Sequence, residues 1–160
     1  MPNVYLDRLA QPSLRQRITG ASLWSGRQAV IAGSAASAIH GSRWIDEDAP
    51  VELIWRNARA PRGVIARDDW LADGEFIRVG GLCVTTPDRT AFDIGRRDRL
   101  GQAVVGLDAL AAATHFKVDD VRELAADHRR ARGLRQLETA LDLVDGGACQ
   151  WTAETARGRT

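Results

Sequence analysis

Thr86-Pro87-Asp88 divides this chain into two halves with different periodicities. Threonine is a good N-cap. Proline suits the first helical position, where its missing N–H costs nothing, and an acid in the first turn faces the positive end of the helix dipole. Downstream of this signal the apolar residues keep helical spacing. The pattern predicts a helix over 86–97, a second marked by Leu100, Val104, Leu107 and Ala111, and a third marked by Val118, Val121, Ala125 and His128. A fourth follows Leu134, Leu137, Leu141 and Val144, and Gly146-Gly147 is expected to close it. The tail beyond it has little apolar periodicity and is expected to be loosely held.

Upstream the runs are short and extended. Val4–Leu6 reads as a scrap of strand. Gln11-Pro12-Ser13 opens a helix to about Ser25, with Leu14, Ile18, Ala21 and Ser25 on one face, and Gly26 ends it. Ala29–Ala32 reads as a short buried strand. Ser34 is expected to cap a small-residue helix that His40 closes and Gly41 stops. Val51–Trp55, Gly63–Arg67, Phe76–Val79 and Leu82–Thr85 read as further strands, the last two joined by a tight Gly80-Gly81 turn. The expected fold is therefore α+β: a small, mostly antiparallel sheet followed by a four-helix C-terminal half, with residues 1–148 forming a single domain.

Composition narrows the function classes. The chain has 160 residues, enough for one real core, and 44% apolar with 27% charged residues is the balance of a globular protein. No run approaches the roughly 18 apolar residues of a membrane span. The N-terminus lacks the apolar core of a secretory leader. Cys83 and Cys149 fit neither a disulfide framework nor a zinc site, which makes a reducing cytoplasm the expected compartment. Net charge is only +1, too little for the chain as a whole to clamp nucleic acid. Lys117 is the single lysine among 22 basic residues, a bias that the arginine codons of a GC-rich genome explain without any partner.

One pattern suggests chemistry. Gly33-Ser34 follows an apolar run, and Asp46-Glu47-Asp48 follows at a distance. A glycine-serine turn opening a helix offers free backbone N–H groups and a hydroxyl to phosphate, and Asp46 with Asp48 could hold magnesium. Glu52 or Glu75 could supply a third carboxylate. The objection is geometric: Pro50 cannot donate into a sheet ladder, so the strand should begin at Val51, after the acids. Asp46 and Asp48 then lie in a turn rather than at alternate positions of one strand.

Other candidates are weaker. His40 reads as a hydrogen-bonded structural histidine, and His115 and His128 show no metal-ligand spacing. Arg89 and Asp93, four apart, can pair and lock their helix onto the sheet. Arg129, Arg130 and Arg132 could meet phosphate, or simply form a solvated turn between helices. No cofactor or metal site is expected.

Three phrases together, AVIAGSAASAIHGSRWID, PVELIWRN with RGVIARDD, and VGGLCVTTPDRTAFDIGRR, resemble the central domain of actinobacterial proteins of the abortive-infection AbiEi antitoxin type. The resemblance covers roughly residues 4–148 and is strongest over Val84–Asp93, with Thr86, Pro87, Arg89 and Asp93 at its heart. It implies a central scaffold without a catalytic role, normally preceded by a winged helix-turn-helix and often followed by a nuclease-like domain related to very-short-patch-repair endonucleases. The winged helix would precede Val4-Tyr5, and the nuclease carboxylates and lysine would follow Thr160. Both flanking domains are expected to be missing, with residues 149–160 the truncated start of the second.

The resemblance implies a non-catalytic antitoxin-like or phage-defence regulatory domain acting through protein contacts. A nucleotidyltransferase-type toxin is its functional counterpart, and a winged-helix protein a second expected partner. DNA contact by this chain itself has weak support. Two alternatives stand beside it: a small magnesium-dependent nucleotidyltransferase using Gly33, Ser34, Asp46 and Asp48, and a folded remnant with no activity of its own.

Overall fold

Ser13 begins the first described helix with a reciprocal cap: its hydroxyl accepts from the Gln16 N–H, and the Gln16 side chain accepts from the Ser13 N–H. The structure, a computed structural model, describes residues 11–56 and 59–157, with side chains as far as Gly147. The expected strand at Val4–Leu6 lies outside them. Helix α1 spans Leu14–Trp24 and buries Leu14, Ile18 and Ala21; Gly26, at φ +64°, turns the chain away from it.

Strand β1 (Val30–Ala32) leads straight into helix α2 (Gly33–Ile39). The N-cap of α2 is Ala32, with no side-chain cap, so Ser34 does not have the capping role expected of it. The helix starts two residues earlier than expected, at Gly33 with φ +60°, which places Ser34 inside the first turn. Strands β2 (Val51–Ile54), β3 (Val64–Arg67), β4 (Phe76–Val79) and β5 (Leu82–Thr85) follow, with a short 3-10 turn at Asp73–Glu75 before β4.

The class is α+β. The five strands form one sheet in the order β3-β2-β1-β5-β4. It is mixed rather than mostly antiparallel: β1–β2 and β4–β5 are antiparallel, whereas β1–β5 and β2–β3 run parallel. Strand β3 lies beside β2 with Val51 opposite Val64, and β5 is set beside β1 by the pairing of Ile31 with Val84. Neither pairing is encoded by a local turn, which is why strand patterns alone missed them.

Side-chain alternation splits the sheet into two faces. Ile31, Val51, Leu53, Val64 and Val84 pack with Leu14, Ile18 and Ala21 of α1 and Ala35 and Ala36 of α2. Val30, Ala32 and Ile54 face the other way and meet Leu71, Phe76 and Cys83.

Helix α3 (Pro87–Arg97) begins where β5 ends, with the Thr86 hydroxyl accepting from the Arg89 N–H at 3.3 Å. Helices α4 (Leu100–Thr114), α5 (Val118–Asp127) and α6 (Leu134–Arg157) complete the chain. They form a second core around Phe92, Ile94, Leu107, Leu110, Val121, Leu137 and Leu141. Arg122 fastens α5 to α6 through Glu138 at 2.9 Å and Asp142 at 2.7 Å. Helix α6 runs through Gly146-Gly147 to Arg157 instead of stopping there. A glycine stops a helix by adopting positive φ, and neither of these two does so.

Two close approaches require glycine. A Cβ on Gly95 would fall 2.5 Å from Leu137, so α3 and α6 touch there. Gly133, at φ +83°, lets the start of α6 approach the Arg96 carbonyl, where a Cβ would sit 2.1 Å from the oxygen.

Candidate functional site

Helix α3 carries charge along the face where an amphipathic helix normally carries leucine. Arg89, Asp93, Arg96 and Arg97 fall at i, i+4, i+7 and i+8, and Arg89 and Asp93 are each only 1% exposed. Arg89 is the centre. Its Nε donates to Asp93 at 3.1 Å, and its Nη1 donates to Glu75 at 2.6 Å and to the Trp70 carbonyl at 3.0 Å. Asp69 lies 3.6 Å from its second terminal nitrogen. Phe92 lies beneath the guanidinium at 5.2 Å.

The network spreads from there. Arg96 donates to Asp93 at 3.0 Å and to Asp69 at 2.9 Å. Arg97 pairs with Asp69 and reaches Glu52 at 3.4 Å, while Arg67 holds the same Glu52 at 2.9 Å. His128, just past α5, sets its Nε2 2.6 Å from Glu75 and its ring against Phe92 and Trp70. Burial and the neighbouring Arg67 pull Arg97 down to about 10, still protonated at neutral pH. The arrangement joins the sheet edge, α3 and the end of α5 through charges that are paired and hydrogen-bonded, as buried charges must be.

Above this network opens a cleft of about 900 Å³. Arg67 to Trp70 form one wall, Arg89, Phe92, Arg96 and Arg97 the floor, and residues 126–132 the other wall. Arg129, Arg130 and Arg132 are therefore brought to the cleft, all three exposed. Trp70 is 66% exposed beside them.

The Gly33-Ser34 and Asp46-x-Asp48 pattern does not converge. Asp46, Glu47 and Asp48 form an exposed turn before β2. Asp46 accepts from the Asp48 N–H at 2.9 Å, a local turn bond. Glu47 accepts from the Leu14 N–H at the start of α1, and Arg17 holds the Ala49 carbonyl at 2.9 Å. The acidic turn thus fastens α1 to the sheet. The carboxylate that does reach Gly33 is Glu52: a Cβ on Gly33 would lie 2.8 Å from it. No cluster of three or more metal-ligating side chains occurs among the described residues.

His40 donates from Nε2 to the Thr85 carbonyl at 2.7 Å and so ties the end of α2 to the end of β5. Thr85 and Thr90 share a hydroxyl hydrogen bond at 2.7 Å across the β5–α3 junction. Sequence reasoning paired Arg89 with Asp93 but missed Asp69, Trp70 and His128, and nominated Glu75 for a different task. The legible signal was the series of charges at core spacing on α3; nothing local marks which distant carboxylates answer it.

No protein-family model matches the chain, and no curated protein or solved structure matches it. Among the described residues no helix is long and apolar enough to cross a membrane.

Proposed function

We propose that this chain is a non-catalytic, AbiEi-like domain that works through protein contacts, as an antitoxin or phage-defence regulator does. One observation carries the reading. Trp44 is 92% exposed and held at φ +65° beside a groove of about 330 Å³ lined by Leu14, Ile18, Ile39, Ile45, Val79 and Leu82. An indole held in solvent on left-handed backbone costs stability locally, and tryptophan is the side chain most enriched where partners anchor. The partner fitting the reading is a nucleotidyltransferase-type toxin or a winged-helix protein. The test is to recover the tagged chain from its own cells and identify what is bound, with Trp44→Ala in parallel. A toxin or winged-helix protein on the wild type, lost from the variant, is the expected result. A bait carrying neither sinks the reading and leaves a folded remnant.

A second reading keeps one specific observation. The backbone turn at Gly33-Ser34 and the Glu52 carboxylate do meet, as in a nucleotidyltransferase centre. Against it, Arg67 and Arg97 already pair with Glu52 at 2.9 and 3.4 Å. Magnesium-dependent binding of a nucleoside triphosphate, lost in Glu52→Gln, would favour the enzyme; equal behaviour of the two proteins removes it.

A further inference from the structure

We propose that the cleft above the Arg89 network is a metal-independent nucleotide site, its phosphates met by Arg129, Arg130 and Arg132 and its base stacked on Trp70. The proposal does not depend on the protein-contact reading above.

Charge accounting at the cleft separates floor from rim. On the floor, Arg89, Arg96 and Arg97 are consumed by Asp69, Glu75 and Asp93. Of the wall acids, Asp68 pairs with Arg56 at 3.3 Å. That leaves Arg129, Arg130 and Arg132, which make no ion pair among the described residues, against Asp127 alone. The Arg129 Nε donates to the Ala126 carbonyl at 3.3 Å, and three exposed guanidiniums without ion pairs on one loop are suited to phosphate oxygens.

The aromatic side is equally specific. His128 lies 5.1 Å from Trp70 and 5.2 Å from Phe92, ring centre to ring centre, tilted by 48° and 41°, so Trp70 is the outermost of three rings in tilted contact. Its backbone carbonyl is held by Arg89. The ring is thus positioned by the fold yet left 66% exposed. A positive rim beside a fixed, open aromatic face is the arrangement that binds nucleotides by stacking and charge together. The cleft volume lies within the usual range of small-molecule sites.

The experiment is titration calorimetry at low salt with a chelator present. The probes are adenosine triphosphate, inorganic pyrophosphate, adenosine, and a 5′-phosphorylated single-stranded DNA oligonucleotide. The triphosphate should bind, pyrophosphate should bind more weakly, and adenosine weakest of all. Tighter binding of the oligonucleotide would identify a nucleic-acid strand as the source of the nucleotide, and tighter binding of the triphosphate a free nucleotide. Trp70→Ala should weaken binding roughly tenfold. The combined substitution Arg129→Ala, Arg130→Ala, Arg132→Ala should weaken it further and flatten its salt dependence. All four positions are exposed, so thermal melts should confirm folded variants. The proposal is overturned if neither nucleotide probe binds, if both variants bind as wild type does, if pyrophosphate binds as well as the triphosphate, or if binding requires magnesium and is lost in Glu52→Gln.

Discussion

Arg89 and Glu75 are joined at 2.6 Å, nitrogen to oxygen, across fourteen positions of sequence, with the arginine 1% exposed. The same guanidinium holds Asp93 and the Trp70 carbonyl, so one side chain ties α3 to the segment that crosses the sheet. Arg89→Met should destabilise the fold by about 3–5 kcal/mol, because it takes the guanidinium from buried Glu75 and one of the arginine partners from buried Asp93. Arg89→Lys should recover little, since one ammonium cannot span the fork that the guanidinium fills. Urea unfolding followed by circular dichroism measures both; a loss below 1 kcal/mol in Arg89→Met would show that the network is not holding these elements together.

Gly133→Ala should be the most damaging of the glycine substitutions. Its added carbon meets the Arg96 carbonyl at 2.1 Å, and the backbone there has φ +83°. Gly41→Ala is the control: its φ is +95°, but a Cβ there has nothing within 4 Å. Gly41→Ala should cost about 1–2 kcal/mol from backbone strain alone, and Gly133→Ala clearly more. Equal losses would mean that the α3–α6 approach can relax.

Thr86→Ala should cost about 1 kcal/mol, the usual loss when a capping hydroxyl is removed. Thr86→Ser, which keeps the oxygen that accepts from the Arg89 N–H, should be close to neutral. The difference between their denaturation midpoints isolates the cap. It separates it from Thr85 and Thr90, whose hydroxyls pair with each other.

Asp88 titrates above its ordinary value of 3.8, first because it is partly buried and second because Asp120 lies nearby. The folded state therefore holds this proton more tightly than the unfolded chain. Stability contributed at Asp88 falls as pH rises from 3.8 through the raised folded value, and the penalty is complete above it. Asp120→Asn should lower the Asp88 pKa while leaving it above 3.8, because burial remains. Carboxyl NMR titration of the two proteins reads this directly. No change would remove Asp120 as a cause.

The local signals did much of the work in the helical half. Thr86-Pro87-Asp88 starts α3, and the apolar spacings of α4, α5 and α6 place Leu107, Val121, Leu137 and Leu141 in one core. Gly26 ends α1 because its left-handed backbone is written in its own residue type. Gly146-Gly147 shows the limit of such reasoning: glycine permits a stop but does not impose one, and α6 continues.

Sequence by itself determined the elements whose cause is local: caps, helical faces, the Gly80-Gly81 hairpin, and the strand start after Pro50. Only the tertiary structure decided that β5 lies parallel to β1 and β3 parallel to β2. It alone decided which acids answer Arg89, and it alone gathered Trp70 with Arg129, Arg130 and Arg132 around one cleft. The physical reason is range. Capping and periodicity act within a turn or two, whereas His128 meets Glu75 across 53 positions. Such a contact forms only when the packing of two cores has brought distant segments together.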